Sequence, residues 1–145
     1  KHHHYLSHDL HPRARCFVGL VGGEPAAFVA VLPFPHATAP GWREHRAVCL
    51  PDYQGVGLGN ALSAFVAGVY AATGRPYYSR TTHPAMIRHR SRSPLWRMTE
   101  RPSLKRPHAG GGTGMTATTA VARLSAGFAY VGPPRPAEAK GFGLV

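Results

Sequence analysis

The stretch from Val48 to Leu62 limits what this chain can become more than any other. A β-like run closes at Pro51, glycines follow at 55, 57 and 59, and a helical pattern begins at once. Leu58, Ala61, Leu62, Phe65, Val66, Val69 and Tyr70 recur at three- and four-residue steps, Gly74 is placed as a C-terminal cap, and Pro76 forbids continuation. Strand, glycine loop and amphipathic helix in that order make a physical anion site. Glycines let the main chain approach a ligand and turn successive N–H groups into one concavity, and the helix N-terminus adds partial positive charge. A diphosphate is the preferred occupant. A lone G-x-G would be a weak signal; Gln54-x-x-Gly57-x-Gly59 between a strand and a strong helix is more specific.

Two familiar nucleotide loops are excluded. Gly57-Leu58-Gly59-Asn60-Ala61-Leu62 lacks the third glycine and the later acid of a dinucleotide fingerprint. Gly110-Gly111-Gly112-Thr113-Gly114 lacks the Lys-Ser/Thr end of an ATP phosphate loop and precedes no helix, so it reads as a linker.

Around the central segment the chain reads as an α/β alternation. Arg15–Val21 and 26–32 are apolar runs joined by Gly22-Gly23-Glu24-Pro25, a β-hairpin. Residues 42–50 form a third strand, with Trp42, Glu44, Arg46, Val48 and Leu50 expected on one face and Arg43, His45, Ala47 and Cys49 on the other. Residues 77–82 are a short strand, and Pro84 opens a helix reaching about Arg90. Residues 97–114 break into Pro, Gly and basic residues without period, an expected exposed and mobile loop. Residues 115–131 suggest a long bent strand or an interrupted hairpin, and Pro133, Pro134 and Pro136 open a tail expected to be extended or disordered. The organisation expected is therefore one domain over residues 1–132 and a Pro-rich tail over 133–145.

Seventeen Lys and Arg against six Asp and Glu give a net charge of +11, more than a small enzyme acting on neutral metabolites needs. A polyanionic partner is indicated, nucleic acid first and an anionic membrane surface second, although a uniformly Arg-rich composition gives the same total. No apolar run is long enough to span a bilayer. Cys16 and Cys49 sit in strand-like runs without metal spacing and read as buried reduced thiols, which favours a cytoplasmic setting. The start, Lys1-His2-His3-His4-Tyr5, lacks a methionine and a signal core, as in a processed chain or a piece of a longer one.

The text Val48-Cys49-Leu50-Pro51-Asp52-Tyr53-Gln54-Gly55-Val56-Gly57-Leu58-Gly59-Asn60-Ala61-Leu62 closely resembles motif A of the GNAT (Gcn5-related N-acetyltransferase) superfamily. The resemblance covers about Arg15 to Ser93. It implies a single α/β domain whose mixed, mostly antiparallel sheet is flanked by helices, and a transferase using acetyl-CoA or another acyl-CoA. It places the pyrophosphate on Gln54, Gly55, Val56, Gly57, Leu58, Gly59 and Asn60, and pantetheine along the backbone of Cys49 and Leu50. Arg43-Glu44-His45-Arg46, Thr82-His83-Pro84 and Ser93-Pro94-Leu95-Trp96 also resemble a narrower group. It contains the phage Mom protein, which modifies adenine in DNA, and predicted acetyltransferase domains fused to ABC-type ATPases. That likeness implies a DNA acceptor, a fused or partner ATPase, and a bacterial or phage-infected cell. One departure stands out: many members carry a thiolate-protonating tyrosine in the helix after the fifth strand, and residues 84–93 contain none. Tyr5 or Tyr78 would have to substitute, or the chemistry differs from ordinary amine acetylation.

Acyl transfer to an amine needs a base, oxyanion donors and a proton for the thiolate. Glu44 lies where family members often place the base, among Arg43, His45 and Arg46, and a salt bridge to a neighbouring arginine is the equal alternative. His83, at the end of the short strand, would face the acceptor, or merely flank the helix. Tyr5 is the third catalytic candidate. His4 and His8 share a helical spacing with His11 nearby, but no Cys or carboxylate completes a recognisable site locally, although Asp9 and His83 could contribute in space; no metal is expected. Arg88, Arg90, Arg92, Trp96 and Arg97 are the substrate-binding candidates, since arginines beside an aromatic suit phosphate tracking and base stacking. The favoured reading is an acyl-CoA-dependent enzyme modifying nucleic acid. The alternatives are an N-acetyltransferase for a protein, aminoacyl-tRNA or small amine, and an inactive nucleic-acid-binding module.

Overall fold

The computed structural model describes residues 10–104 and 124–145. Among these residues six strands and three α-helices follow in the order β1 (Arg15–Val21), β2 (Glu24–Phe34), β3 (Gly41–Cys49), α1 (Leu58–Ala71), β4 (Tyr77–Thr81), α2 (Pro84–Arg92), β5 (Trp96–Leu104), β6 (Leu124–Tyr130) and α3 (Pro136–Gly141). The strands form one sheet in the order β1-β2-β3-β4-β6-β5. Among the described strands β3 and β4 alone pair in parallel; the other neighbours are antiparallel. This is the mixed α/β sheet expected.

The β1–β2 hairpin turns on Gly22 and Gly23, whose φ angles of 58° and 86° match a two-residue primed turn. One face of the sheet carries Phe17, Val29, Val31, Tyr77, Ala126 and Phe128, packed against Val66, Ala67 and Tyr70 of α1. Each large side chain buried there is worth roughly 1.5–3 kcal/mol over an exposed one, so the α1 stripe is the main anchor of the sheet.

The alternation expected along β3 fails at one point. Ala30 pairs with Arg46 and Val31 with Glu44, leaving His45 as the extra residue of a β-bulge. Trp42 and Glu44 therefore share the α1 face with Ala47 and Cys49, while Arg43, Arg46 and Val48 lie on the other. A bulge depends on the partner strand, so strict period-two counting misassigned Arg46, Val48, Ala47 and Cys49.

Two further segments differ from expectation. Residues 97–104, expected as a loop, belong to β5, the edge strand. Its pairing with β6 shifts register on either side of Glu100, and at an edge Pro102 removes no interior ladder bond. They are nevertheless exposed, as expected. The Pro-rich tail folds instead of trailing: Pro136 opens α3, Arg135 N–H donates to Gly68 O at 2.9 Å, and Phe142 meets Phe17 edge-on at 5.3 Å. Cys49 is half-buried, but Cys16 is exposed on the edge strand, against the expectation of a buried thiol.

Candidate active site

Parallel strands open their C-terminal ends on the same edge of a sheet, and the segments that follow them flank one crevice. Here β3 and β4 pair only at Trp42–Tyr77 and Arg43–Tyr78. Gly41 makes that approach possible, because a Cβ there would run into the Pro76 carbonyl, which accepts the Trp42 N–H at 2.8 Å. Past Arg43 no β4 residue pairs with β3, and the stretch from His45 to Cys49 borders an opening between the strands.

The Gln54–Gly59 loop sits at the mouth of that opening. A short 3₁₀ turn over Pro51–Tyr53 leads into it, and Gln54 Nε2 donates back to Cys49 O at 2.8 Å, tying loop to strand. Gly55 and Gly57 have φ of 84° and 83°, and the space where a Cβ would project is open at both. Gly57 is the N-cap of α1 and no side chain caps the helix. The first intrahelical bond runs from Ala61 N–H to Gly57 O, so the amides of Leu58, Gly59 and Asn60 have no acceptor within the helix. An uncapped helix start behind two left-handed glycines is a fitting cradle for a diphosphate. Asn60 adds a buried Oδ1 without a hydrogen-bond partner, which a ligand amide N–H would satisfy. Leu50 fits its implied pantetheine role less well, because its N–H is held by Ala26 O and its carbonyl by Tyr53 N–H.

Glu44 is not placed to act as a base. The residue is 8% exposed, and its carboxylate accepts from Arg90 Nη2 at 3.0 Å, from Ser79 Oγ at 2.8 Å and from Ser63 Oγ. Burial pushes the carboxyl up, but the Arg90 charge and the bonds from Ser63, Ser79 and Arg90 outweigh it and hold the pKa below the ordinary glutamate range. A carboxylate so held is a poor proton acceptor and an effective tie between β3, β4, α1 and α2.

Arg90, expected to contact substrate, is instead a core residue: it is 1% exposed, bonded to Glu44, Ser63 and Ser79, and stacked 4.3 Å from the Trp96 ring centroid. Trp96, 6% exposed, is its platform rather than a base-stacking surface. Arg88, Arg92 and Arg97 are exposed. Arg88, His89, Arg92, Ser93 and Pro94 border a shallow concavity of about 420 Å³. His83 is exposed as the N-cap of α2, its N–H donating to Thr81 Oγ1 at 3.1 Å and its ring making no capping bond. It stands at the end of β4, on the same sheet edge as the glycine loop. Tyr5, His4 and His8 lie outside the described residues, as do 105–123.

Sequence reasoning singled out Tyr78 only as a substitute proton donor and missed the cluster to which it belongs, on the sheet face away from the helices. Arg43 and Tyr78 are a register pair at the apex of the opening, with Arg80 the next side chain on that face of β4. Arg43 lies 5.6 Å from the Phe34 ring centroid, and Phe34 meets Tyr78 edge-on at 5.5 Å. Alternation of Tyr78 and Arg80 along a strand was the available signal; their neighbours on β2 and β3 were not readable.

A six-stranded sheet parted between one parallel pair, with an uncapped glycine-cradled helix start at the parting, defines an acyl-CoA-binding fold. The acetyltransferase (GNAT) family model matches residues 1–84, more than half of the chain, and the protein belongs to that family. It is therefore an acetyltransferase, with acetyl-CoA as its donor. Among solved structures, the IAA acetyltransferase from Bacillus cereus superposes with a TM-score of 0.57 at 14% identity, covering 82% of this chain and 79% of its own. The ribosomal-protein-S18-alanine N-acetyltransferase from Escherichia coli gives 0.54 at 18%, covering 83% and 70%. A Bacillus anthracis protein assigned as a streptothricin acetyltransferase, solved with acetyl coenzyme A, gives 0.52 at 12%, covering 83% and 63%. At these identities the likeness is one of fold. No curated protein sequence matches the chain significantly.

Proposed function

We propose that the acyl group is passed to nucleic acid, with an amino group of a DNA base, adenine in the sharpest version, as the acceptor. The observation that carries this reading is the exposed basic tract from the end of α2 into β5. Arg88, Arg92, Arg97 and Arg101 are all exposed, and none is in an ion pair among the described residues. Basic residues in the last turn of a helix complement its dipole by 0.3–1 kcal/mol each at most, approximately. That does not account for the tract continuing along a strand, nor for the net charge of +11. A polyanion does. The resemblance of 43–46, 82–84 and 93–96 to the Mom-containing group supports the same choice.

In the reaction the acceptor nitrogen forms a bond to the thioester carbonyl carbon, the C–S bond breaks, and coenzyme A leaves as thiol once protonated. Acetyl-CoA supplies the activated carbonyl. The chain's own residues supply position and proton transfer: the loop amides hold the pyrophosphate end, and His83, on the rim of the opening, takes the amine proton. With Glu44 sealed in the core, His83 is the described side chain best placed for that role.

Mass spectrometry of nucleosides from the DNA of an expressing host tests this reading. An acyl-modified 2′-deoxyadenosine that disappears with Gly57→Glu is expected. Unmodified nucleosides beside acetylated protein or tRNA would instead establish a conventional N-acetyltransferase.

A further inference from the structure

Among the described residues the helices cover one face of the strand opening and leave the other clear. Arg90 of α2 bonds Ser63 of α1, Glu44 of β3 and Ser79 of β4, so both helices and a buried ionic cluster fill one face of the β3–β4 junction. No helix among the described residues crosses the other face. An acceptor therefore approaches over Arg43, Tyr78 and Arg80.

That face carries an unusual set of side chains for the middle of a sheet. Arg43 and Arg80 come from adjacent strands and are close enough for each to feel the other's charge. Burial first, and the Arg80 charge second, push the Arg43 pKa down, and both guanidiniums are half-buried. No carboxylate pairs with Arg43 among the described residues. Arg80 pairs with Glu100, itself largely exposed, and donates to Ser125 Oγ at 3.0 Å. Beside them stand the Phe34–Tyr78 pair and, 6.1 Å from Phe34, His36. Two neighbouring cations, of which only Arg80 has a carboxylate partner among the described residues, and that one exposed, complement a phosphate, and half-buried aromatics beside them complement a base.

We propose that this face is a nucleotide subsite for the acceptor strand: Arg43 and Arg80 take a backbone phosphate, and the Phe34–Tyr78 pair holds the neighbouring base beside the strand opening. The subsite deepens the nucleic-acid reading and rests on it. It is separate from the Arg88–Arg92 concavity, which lies at the far end of α2, and it places the positioning of the reacting nucleotide at the junction itself.

The test is fluorescence anisotropy of labelled single-stranded octathymidylate with the full chain saturated in coenzyme A, so that the loop amides are occupied. Arg43→Ala and Arg80→Ala are each expected to weaken binding about tenfold and to lower the slope of log affinity against log salt by about one. Coenzyme A affinity, measured by calorimetry, should be unchanged. If the alanine variants lose coenzyme A binding as well, Arg43→Lys decides the matter: it keeps the charge and should keep the salt slope while losing part of the affinity. Wild-type binding by Arg43→Ala and Arg80→Ala, or by Arg43→Lys with a lowered slope, would overturn the subsite. A loss confined to Arg88→Ala/Arg92→Ala would also overturn it, leaving the nucleic-acid reading in place. If the wild-type chain binds coenzyme A but no octathymidylate at any salt, both fall.

Discussion

Arg90 reaches from the surface helix α2 into the core and ends there 1% exposed, between a carboxylate, two hydroxyls and an indole ring. Removing one partner of such a pair strands the other charge in a medium that cannot solvate it, a loss of about 3–5 kcal/mol, whereas replacing both with apolar groups is often near neutral. Arg90→Met is therefore expected to cost about 3–5 kcal/mol in urea denaturation, and Arg90→Met/Glu44→Leu distinctly less; an additive double variant would contradict the pairing. The same residues set the pH response. Because the Glu44 pKa is lowered on folding, its contribution is complete above the ordinary glutamate value, near 4.5, and is lost as pH falls through the depressed one. Tyr70 acts at the other end: burial first, against Arg15, pushes it up to about 12 from 10.0. The folded state then holds a proton that the unfolded chain releases, so stability falls between pH 10 and about 12. Melting temperatures should drop below pH 4.5 and above pH 10, and Tyr70→Phe should flatten the alkaline limb.

Elements explain why part of this was legible and part was not. The hairpin, α1, β4 and the start of α2 rest on local signals: Gly22-Gly23, the three- and four-residue stripe, and Pro84. The glycine loop belongs with them, since its conformation is written in Gly55 and Gly57 themselves. What depends on partners distant in sequence was not readable. The His45 bulge exists only against β2, β5 is a strand only because β6 accepts it, and α3 folds because Phe17 and α1 receive it. Glu44 was ambiguous for that reason, its partner lying 46 residues away. The junction of β3 with β4 carries its own prediction. Gly41→Ala should push the strands apart at Pro76, costing roughly 1–3 kcal/mol as other overpacked sites do. Acetyl-CoA affinity should fall with it in a calorimetric titration; unchanged stability and affinity would show that the close approach is dispensable.

At the scale of the molecule, two binding surfaces share one sheet. On the proposed reading, the C-terminal edge of the parallel pair holds the donor, through amides that need no particular side chain, and the cationic face and tract take the acceptor. In that proposal catalysis is chiefly juxtaposition of donor and acceptor, and the buried Glu44–Arg90 cluster keeps α2, with His83 at its start, fixed relative to the loop. Everything downstream depends on the loop being a coenzyme A cradle. Isothermal titration calorimetry with acetyl-CoA on the wild-type chain and on Gly57→Glu tests that directly. At φ 83° a non-glycine residue is strained by about 1–2 kcal/mol, and a carboxylate would compete with the diphosphate for the same amides. One-to-one binding by the wild type and at least about a hundredfold weaker binding by Gly57→Glu, with its fold intact, is the predicted result; equal affinities, or no binding by the wild type, would contradict the account.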